Sequence, residues 1–316
     1  MNNTETVLVT GEHDAQMQER IRSVAGDSEV IFAARATAVP DALGRATVIA
    51  GSAGPDVLAA APRLRWVHSW AAGADSDLTA EMRASDVVLT SSVGNGAIPL
   101  AEHSILLMMM LNREAPRWMN AQRERRWERF THGELNGLTV GLFGVGHAGA
   151  DLARKAKAFH MTVLGCRRNA DVPVDGVDEM YPPERLHEFL ARCDMVVVTA
   201  PITADTAGVF DEAAFRAMKE TAFFVCISRG GIADDDALLR ALQEGWIAGA
   251  GLDAHGVEPL PEDSPFWDAP HTIVTPHNGA TTAATALRGR EIFLDNLARH
   301  FAGEPLTNVV DKVAGY

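Results

Sequence analysis

Three short segments in the second half of the chain carry side chains able to stabilise charge and move protons. CISRGG at 226–231 contains Arg229, LDAHGVEPLPEDSPFW at 252–267 contains Asp253 and Glu258, and TPHNGATT at 275–282 contains His277. A guanidinium stays protonated and grips a carboxylate or a developing oxyanion through paired N–H donors. An imidazole exchanges a proton near neutral pH. Each segment follows an apolar run that reads as a strand, and strand ends are where open α/β sheets collect ligands. Each residue also has a plainer reading: Arg229 as a structural ion-pair partner, Glu258 as a solvated loop charge. His255, His271 and His277 lack the H-E-x-x-H spacing of a helical zinc site, so no metal is expected.

A second constellation lies upstream. Gly144-Val-Gly146-His147-Ala148-Gly149 follows the apolar run TVGLF and opens a stretch suited to a helix. The first glycine permits a tight turn, the second lets backbone approach a pyrophosphate, and the third lets the helix pack close to the strand. The helix N-terminus then offers unpaired N–H groups and partial positive charge to the anion. About 20 residues further on, where an NAD site carries an acid for the ribose 2′-hydroxyl, this chain has Arg167 and Arg168, with no carboxylate before Asp171. A guanidinium pair suits a 2′-phosphate, which a carboxylate would repel. Asp171 folding back, or a solvated arginine pair on a surface turn, are the alternatives.

The elements that must position these groups alternate in type. ETVLVTG, SEVIFAA, ATVIAG, LRWVHSW and DVVLTSS mark five short strands in residues 5–92, separated by helix or loop segments. From 139 the runs TVGLFGV, MTVLGC, DMVVVTAP, AFFVCIS, IAGAGLDA and HTIVTPH mark six more. Continuous apolar strands alternating with helices require a parallel sheet covered on both faces, hence a doubly wound α/β domain. Between the halves, residues 97–120 read as one long buried helix, with Pro99 in its first turn.

At 316 residues the chain is long enough for two domains. Its net charge of -14 repels phosphate backbones and anionic lipid, so neither nucleic acid nor a membrane surface is an expected partner. The apolar run ILLMMML at 105–111 is too short to span a bilayer. MNNTETVLVT lacks the basic and apolar regions of a secretory signal, which points to a cytoplasmic protein. Cys166, Cys193 and Cys226 have no paired spacing and sit in apolar runs, so buried, inert thiols are expected.

These segments, with SWAAGAD at 69–75, NGAIPLAEH at 95–103, NGLTVGLFGVGHAG and the closing GEPLTNVVD, resemble the D-isomer-specific 2-hydroxyacid dehydrogenases over nearly the whole chain. The resemblance implies two Rossmann-like domains. One is a dinucleotide-binding domain at 101–289; the other is a flavodoxin-like, discontinuous substrate domain formed by 1–100 and 290–316. The active site would lie in a cleft between them, with hinges near the bridging helices. A homodimer built on the cofactor domain is also implied.

Residue by residue, the family pattern makes Arg229 the partner of the substrate carboxylate and keto oxygen, His277 the acid/base, and Glu258 its carboxylate partner. The amides of Ala72, Gly73 and Ala74 would grip the substrate. The cofactor would be held by Gly144, Gly146, His147, Ala148, Gly149, Arg167, Arg168, Pro201, Ile227, Ser228 and Asp253. Glu102 and His103 read as packing and hydrogen bonding around the bridging helix. Trp66, Trp70 and Trp127 read as core or interface residues.

The implied reaction is NADPH-dependent reduction of 2-keto acids to D-2-hydroxy acids, and the reverse oxidation, with NAD a possible cofactor. Such a reduction needs hydride at the carbonyl carbon, positive charge where alkoxide develops, and a proton for the new hydroxyl. Two departures from the family pattern stand out: Cys226 occupies a common asparagine position, and Arg167 the ribose-binding acid's. A redox-sensing, corepressor-like module and a phosphite-type dehydrogenase are the alternatives. A formate-type enzyme would carry glutamine at Glu258, the larger phosphoglycerate dehydrogenases a C-terminal extension, and a methyltransferase would leave the Arg, Glu and His segments without a role.

Overall fold

Apolar runs of three to five residues become the strands of two all-parallel sheets. The structure, a computed structural model, describes residues 5–315. The chain folds into two compact units, one formed by 1–95 with 282–316 and the other by 96–281.

The first unit holds β1 (Thr6–Thr10), β2 (Glu29–Ala33), β3 (Val48–Ala50), β4 (Trp66–Ser69) and β5 (Val88–Ser91), paired in the order β2-β1-β3-β4-β5. This is the flavodoxin-like order, in which the central strands are covered on both faces. β1, β3 and β4 are accordingly buried at every position. The twenty-residue helix Ala283–Ala302 joins this unit from the far end of the sequence. Its Phe293, Leu294 and Leu297 share one core with Val7, Val9, Ile21 and Trp66, and Glu291 forms a bidentate pair with Arg20 on the helix Ala15–Ala25. Asn296, fully buried, accepts from Thr307 N at 2.7 Å and donates to Thr307 O at 3.0 Å, tying down the chain after the helix.

The second unit holds β6 (Thr139–Phe143), β7 (Thr162–Cys166), β8 (Glu179–Tyr181), β9 (Met195–Val198), β10 (Phe223–Cys226), β11 (Gly249–Leu252) and β12 (Thr272–Val274). Their order, β12-β11-β10-β9-β6-β7-β8, reverses between β6 and β9, as doubly wound dinucleotide folds do. Seven strands stand where the apolar runs marked six. β8 is only three residues long, starts on an exposed glutamate and lies at the sheet edge, so it has no continuous apolar signal.

The single helix read over 97–120 is two, Ala97–Asn112 and Ala115–Arg123, with Glu114 between them at φ 50°. Pro116 explains the break: its ring would clash with the carbonyl of Asn112, and it has no N–H to continue the ladder. All three cysteines are buried, and burial pushes the thiols of Cys166 and Cys193 up to about 12 and that of Cys226 up to about 11. Trp66 is a core residue, whereas Trp127 is 93% exposed. Among the described residues, no helix is long and apolar enough to cross a membrane.

His68 on β4 is fully buried between Thr90 Oγ1, 2.9 Å from Nδ1, and Ser92 Oγ, 3.2 Å from Nε2. Burial pushes its pKa down from 6.5 to about 4. Below pH 6.5 the unfolded chain therefore takes up a proton that the folded chain refuses, and stability falls as pH falls. Urea denaturation should show wild type losing about 2 kcal/mol more than His68→Gln between about pH 7 and pH 5; parallel losses would mean that other groups set the acid sensitivity.

Candidate active site

The glycine loop leaves the C-terminal end of β6 at the strand-order reversal. Each of its glycines answers a different demand. Gly144 sits at φ 92°, and a Cβ there would lie 2.4 Å from the backbone nitrogen of Ala200; one at Gly149 would lie 2.5 Å from the carbonyl oxygen of Gly144. Thr199 Oγ1 donates to that same carbonyl. A Cβ at Gly146 would meet nothing within 4 Å. Protein packing therefore requires the first and third glycines, whereas the second faces open space. The helix His147–Ala158 begins here without a side-chain cap, and the amides of His147, Ala148 and Gly149 have no acceptor among the described residues. This is an anion site in the making.

The arginine pair after β7 divides its labour. Arg167 spends its guanidinium on backbone: Nη1 donates to Val145 O of the glycine loop at 3.2 Å, Nε to Asn169 O at 3.1 Å, and Nη2 to Val172 O. Arg168 is exposed, with Asp205 4.0 Å away. No carboxylate ends β7.

β10, β11 and β12 deliver the second constellation. Arg229 follows β10, and its Nη1 donates to Ser228 O at 2.7 Å. The Cys226 thiol donates to Arg229 O at 3.3 Å, so the cysteine still holds this turn where the family pattern has asparagine. A Cβ at Gly230 would lie 1.9 Å from His255 O and 2.4 Å from Gly256 N. The Arg229 turn is thus pressed directly onto the loop that carries Glu258.

Glu258 accepts from His255 N at 2.9 Å and faces His277 Nδ1 at 2.8 and 2.9 Å. Burial pushes the Glu258 carboxyl up, but the His255 amide and the His277 ring outweigh it and hold the group below its ordinary value. His277 has φ 48°, a left-handed conformation that costs a non-glycine residue about 1–3 kcal/mol. Both side chains remain more than a third exposed.

Asp253, at the end of β11, is completely buried. Its Oδ1 accepts from Thr275 Oγ1 at 2.6 Å and Asn278 N at 3.1 Å, and its Oδ2 accepts from Gly279 N at 2.9 Å. His103 Nε2, on the helix Ala97–Asn112, lies 3.1 Å from Thr275 Oγ1 and 3.4 Å from Asp253 Oδ1. Burial raises the Asp253 pKa, but the contacts with His103, Thr275 and Gly279 more than reverse this and keep it an anion. Both its oxygens therefore serve the loop that carries His277. Sequence reasoning missed Thr275, two residues before His277, and His255, whose Nε2 bonds Thr275 O at 3.0 Å.

Of the remaining residues singled out in this unit, Ile227 is buried in the core and Pro201 is exposed, its carbonyl accepting from Thr206 Oγ1 at 2.8 Å. Ser228 Oγ is a buried hydroxyl with no partner. That orphaned hydroxyl, the three unpaired amides and the open face of Gly146 fit a dinucleotide. Among the described residues no group of three His, Cys, Asp or Glu is placed to hold a metal ion.

In the first unit, the loop after β4 carries Ala72 and Gly73, half-buried, and Ala74, buried. The amides of all three have no acceptor among the described residues. Three successive N–H groups without an acceptor in one bend are a backbone array of the kind that can receive an anion, an amide nest.

Residues 105–279 match the family profile described as D-isomer specific 2-hydroxyacid dehydrogenase, NAD binding domain. A glyoxylate reductase of Korarchaeum cryptofilum is 34% identical over 269 residues, which is 81% of this chain and 79% of that one. D-3-phosphoglycerate dehydrogenases also match, and this chain spans about half their length. Among solved structures, a D-isomer specific 2-hydroxyacid dehydrogenase family protein from Aeromonas salmonicida superposes with a TM-score of 0.88 at 29% identity, covering 98% of this chain and 100% of that one. An NADPH-dependent glyoxylate/hydroxypyruvate reductase from Sinorhizobium meliloti, in complex with NADP and sulfate, gives 0.84 at 30% identity, covering 99% and 100%.

Two glycine substitutions should separate packing from ligand space. Gly230→Ala forces backbone apart and should cost about 1–3 kcal/mol or more, seen as a drop in melting temperature. Gly146→Ala should leave the melting temperature of the free protein unchanged while weakening dinucleotide binding in a calorimetric titration. Equal melting losses in both would contradict the distinction.

Proposed function

The chain belongs to the D-isomer-specific 2-hydroxyacid dehydrogenases, and on that premise we propose that it is an NADPH-preferring reductase of 2-keto acids. It is an oxidoreductase with a Rossmann-type domain for a nicotinamide dinucleotide. The observation that carries the finer reading is the Glu258–His277 pair held beside the Arg229 turn.

The geometry supports the following division of work. With Nδ1 facing Glu258, His277 keeps Nε2 for proton exchange with substrate. Glu258 stays ionised because its pKa is lowered, so the pair breaks only as pH falls through that lowered value. Arg229 supplies the positive charge that steadies a developing alkoxide. The amides of Ala72, Gly73 and Ala74 take the substrate carboxylate. A bound nicotinamide supplies the hydride. Its pyrophosphate would rest on the amides of His147, Ala148 and Gly149, with Gly144 and Gly146 shaping the turn, and Ser228, Pro201 and Ile227 lining the strand ends. Asp253 acts from behind, through the loop 275–279. We assign the first unit as the substrate domain and the second as the dinucleotide domain.

The NADP preference rests on the absence of a carboxylate at the end of β7 and on the exposed guanidinium of Arg168. The relative from Sinorhizobium meliloti is NADPH-dependent, which supports the same choice. Glyoxylate and hydroxypyruvate, named for that relative, are the first substrates to try, followed by branched and aromatic 2-keto acids.

The test is oxidation of NADPH and NADH followed with that panel. Turnover with NADPH favoured is expected; no turnover with any 2-keto acid would contradict the reductase reading. His277→Asn should lower kcat by about 10²–10⁴-fold. Reduction takes up a proton and oxidation releases one, so reduction should weaken and oxidation strengthen as pH rises; flat single-turnover profiles in both directions would contradict an acid/base step at His277.

The arginines are tested separately. Arg168→Asp should raise KM for NADPH far more than for NADH, whereas Arg167→Ala, which removes a brace from the glycine loop, should raise both. Equal losses from Arg168→Asp would return it to the surface.

A further inference from the structure

The amide nest at 72–74 lies in a loop whose two ends are fastened by one buried carboxylate. Asp77 is 2% exposed, and so is Ser69, the last residue of β4. Ser69 Oγ donates to Asp77 Oδ2 at 2.5 Å, and Ser52 Oγ, in the loop after β3, donates to Asp77 Oδ1 at 3.0 Å. The same Ser69 hydroxyl accepts from Ala71 N at 3.3 Å, at the entrance to the nest. At the exit, Asp77 N and Leu78 N both donate to Ala74 O at 3.0 Å. The loop is also pinned from the residue after β5, since Ser92 N donates to Ser69 O at 3.1 Å and to Ala71 O at 3.0 Å. Between these fastenings stand the three amides with no acceptor of their own.

We propose that Asp77 is a positioning residue for substrate: by clamping Ser69 and Ser52, it holds the amides of Ala72, Gly73 and Ala74 convergent on the 2-keto acid carboxylate. A buried negative charge near an anion site opposes binding by simple Coulomb repulsion, so its contribution is geometric. Removing the charge while breaking the clamp sets the two effects against each other: electrostatics alone would tighten anion binding, and loss of convergence weakens it. In Asp77→Asn an amide NH2 replaces one carboxylate oxygen, so one serine hydroxyl loses its acceptor, seeks another partner and loosens that end of the loop. The inference rests on the proposed role of the 72–74 amides.

The experiment compares wild type, Asp77→Asn and Ser69→Ala, the last removing the clamp with the least change in volume. Steady-state KM and kcat for the best 2-keto acid are measured alongside the Kd for NADPH and the melting temperature. Each substitution should raise KM for the keto acid about tenfold, the loss of roughly one charge-assisted hydrogen bond, with kcat within about threefold and the Kd for NADPH unchanged. The nucleotide site lies in the other unit, so its Kd reports general damage. Unchanged or lowered KM in both variants would overturn the proposal, as would a rise in KM matched by a rise in the Kd for NADPH. If wild type itself reduces no 2-keto acid, it is the reductase reading that fails.

Discussion

A carboxylate with no exposure to solvent, Asp253, fixes the loop on which His277 stands. Burying a charge costs several kcal/mol unless donors surround it, and here Thr275, Asn278 and Gly279 all donate, with His103 alongside. Three of those four groups belong to the loop after β12, so satisfying the charge and shaping the loop are the same event. The left-handed backbone at His277 is held by these bonds, and the ring is delivered to Glu258. Glu258 is in turn held through His255, whose carbonyl abuts Gly230 and so the turn of Arg229. Three strand ends are thereby locked into one rigid surface.

The dinucleotide end of the same sheet follows a different physical logic. There the unpaired groups are backbone amides, and the side chains serve to leave room or to brace. Gly144 and Gly149 permit a turn and a close approach, Thr199 seals the first carbonyl, and Arg167 reaches back to Val145. The strand order places this loop at β6, beside the reversal, as it does in other doubly wound folds that receive nucleotides. In the first unit the amide nest again relies on backbone, fastened by serines and a buried aspartate.

Much of this was legible in the residues. The glycine loop is a local constraint, so spacing alone reveals it, and the five strands of the first unit appear as apolar runs for the same reason. The edge strand β8 and the break before Pro116 are not legible: one is too short to carry a pattern, and the other is a single proline just past the end of a strongly apolar run. Contacts at long range were the hardest to foresee. The difference between Arg167 and Arg168 depends on a carbonyl 22 residues away, and the network at Asp253 joins His103 to Thr275 across 172 residues. Glu258 and His277 stand out through resemblance, yet the contact of His255 with Thr275 depends on how two loops meet.

Hydride transfer itself can be observed most directly by supplying NADPH deuterated at the transferable C4 position with a 2-keto acid and examining the product by NMR and chiral chromatography. A D-2-hydroxy acid carrying deuterium at C2 is the predicted result. A product without that deuterium, or nucleotide consumed with no 2-hydroxy acid formed, would contradict the reaction assigned to Arg229, Glu258 and His277.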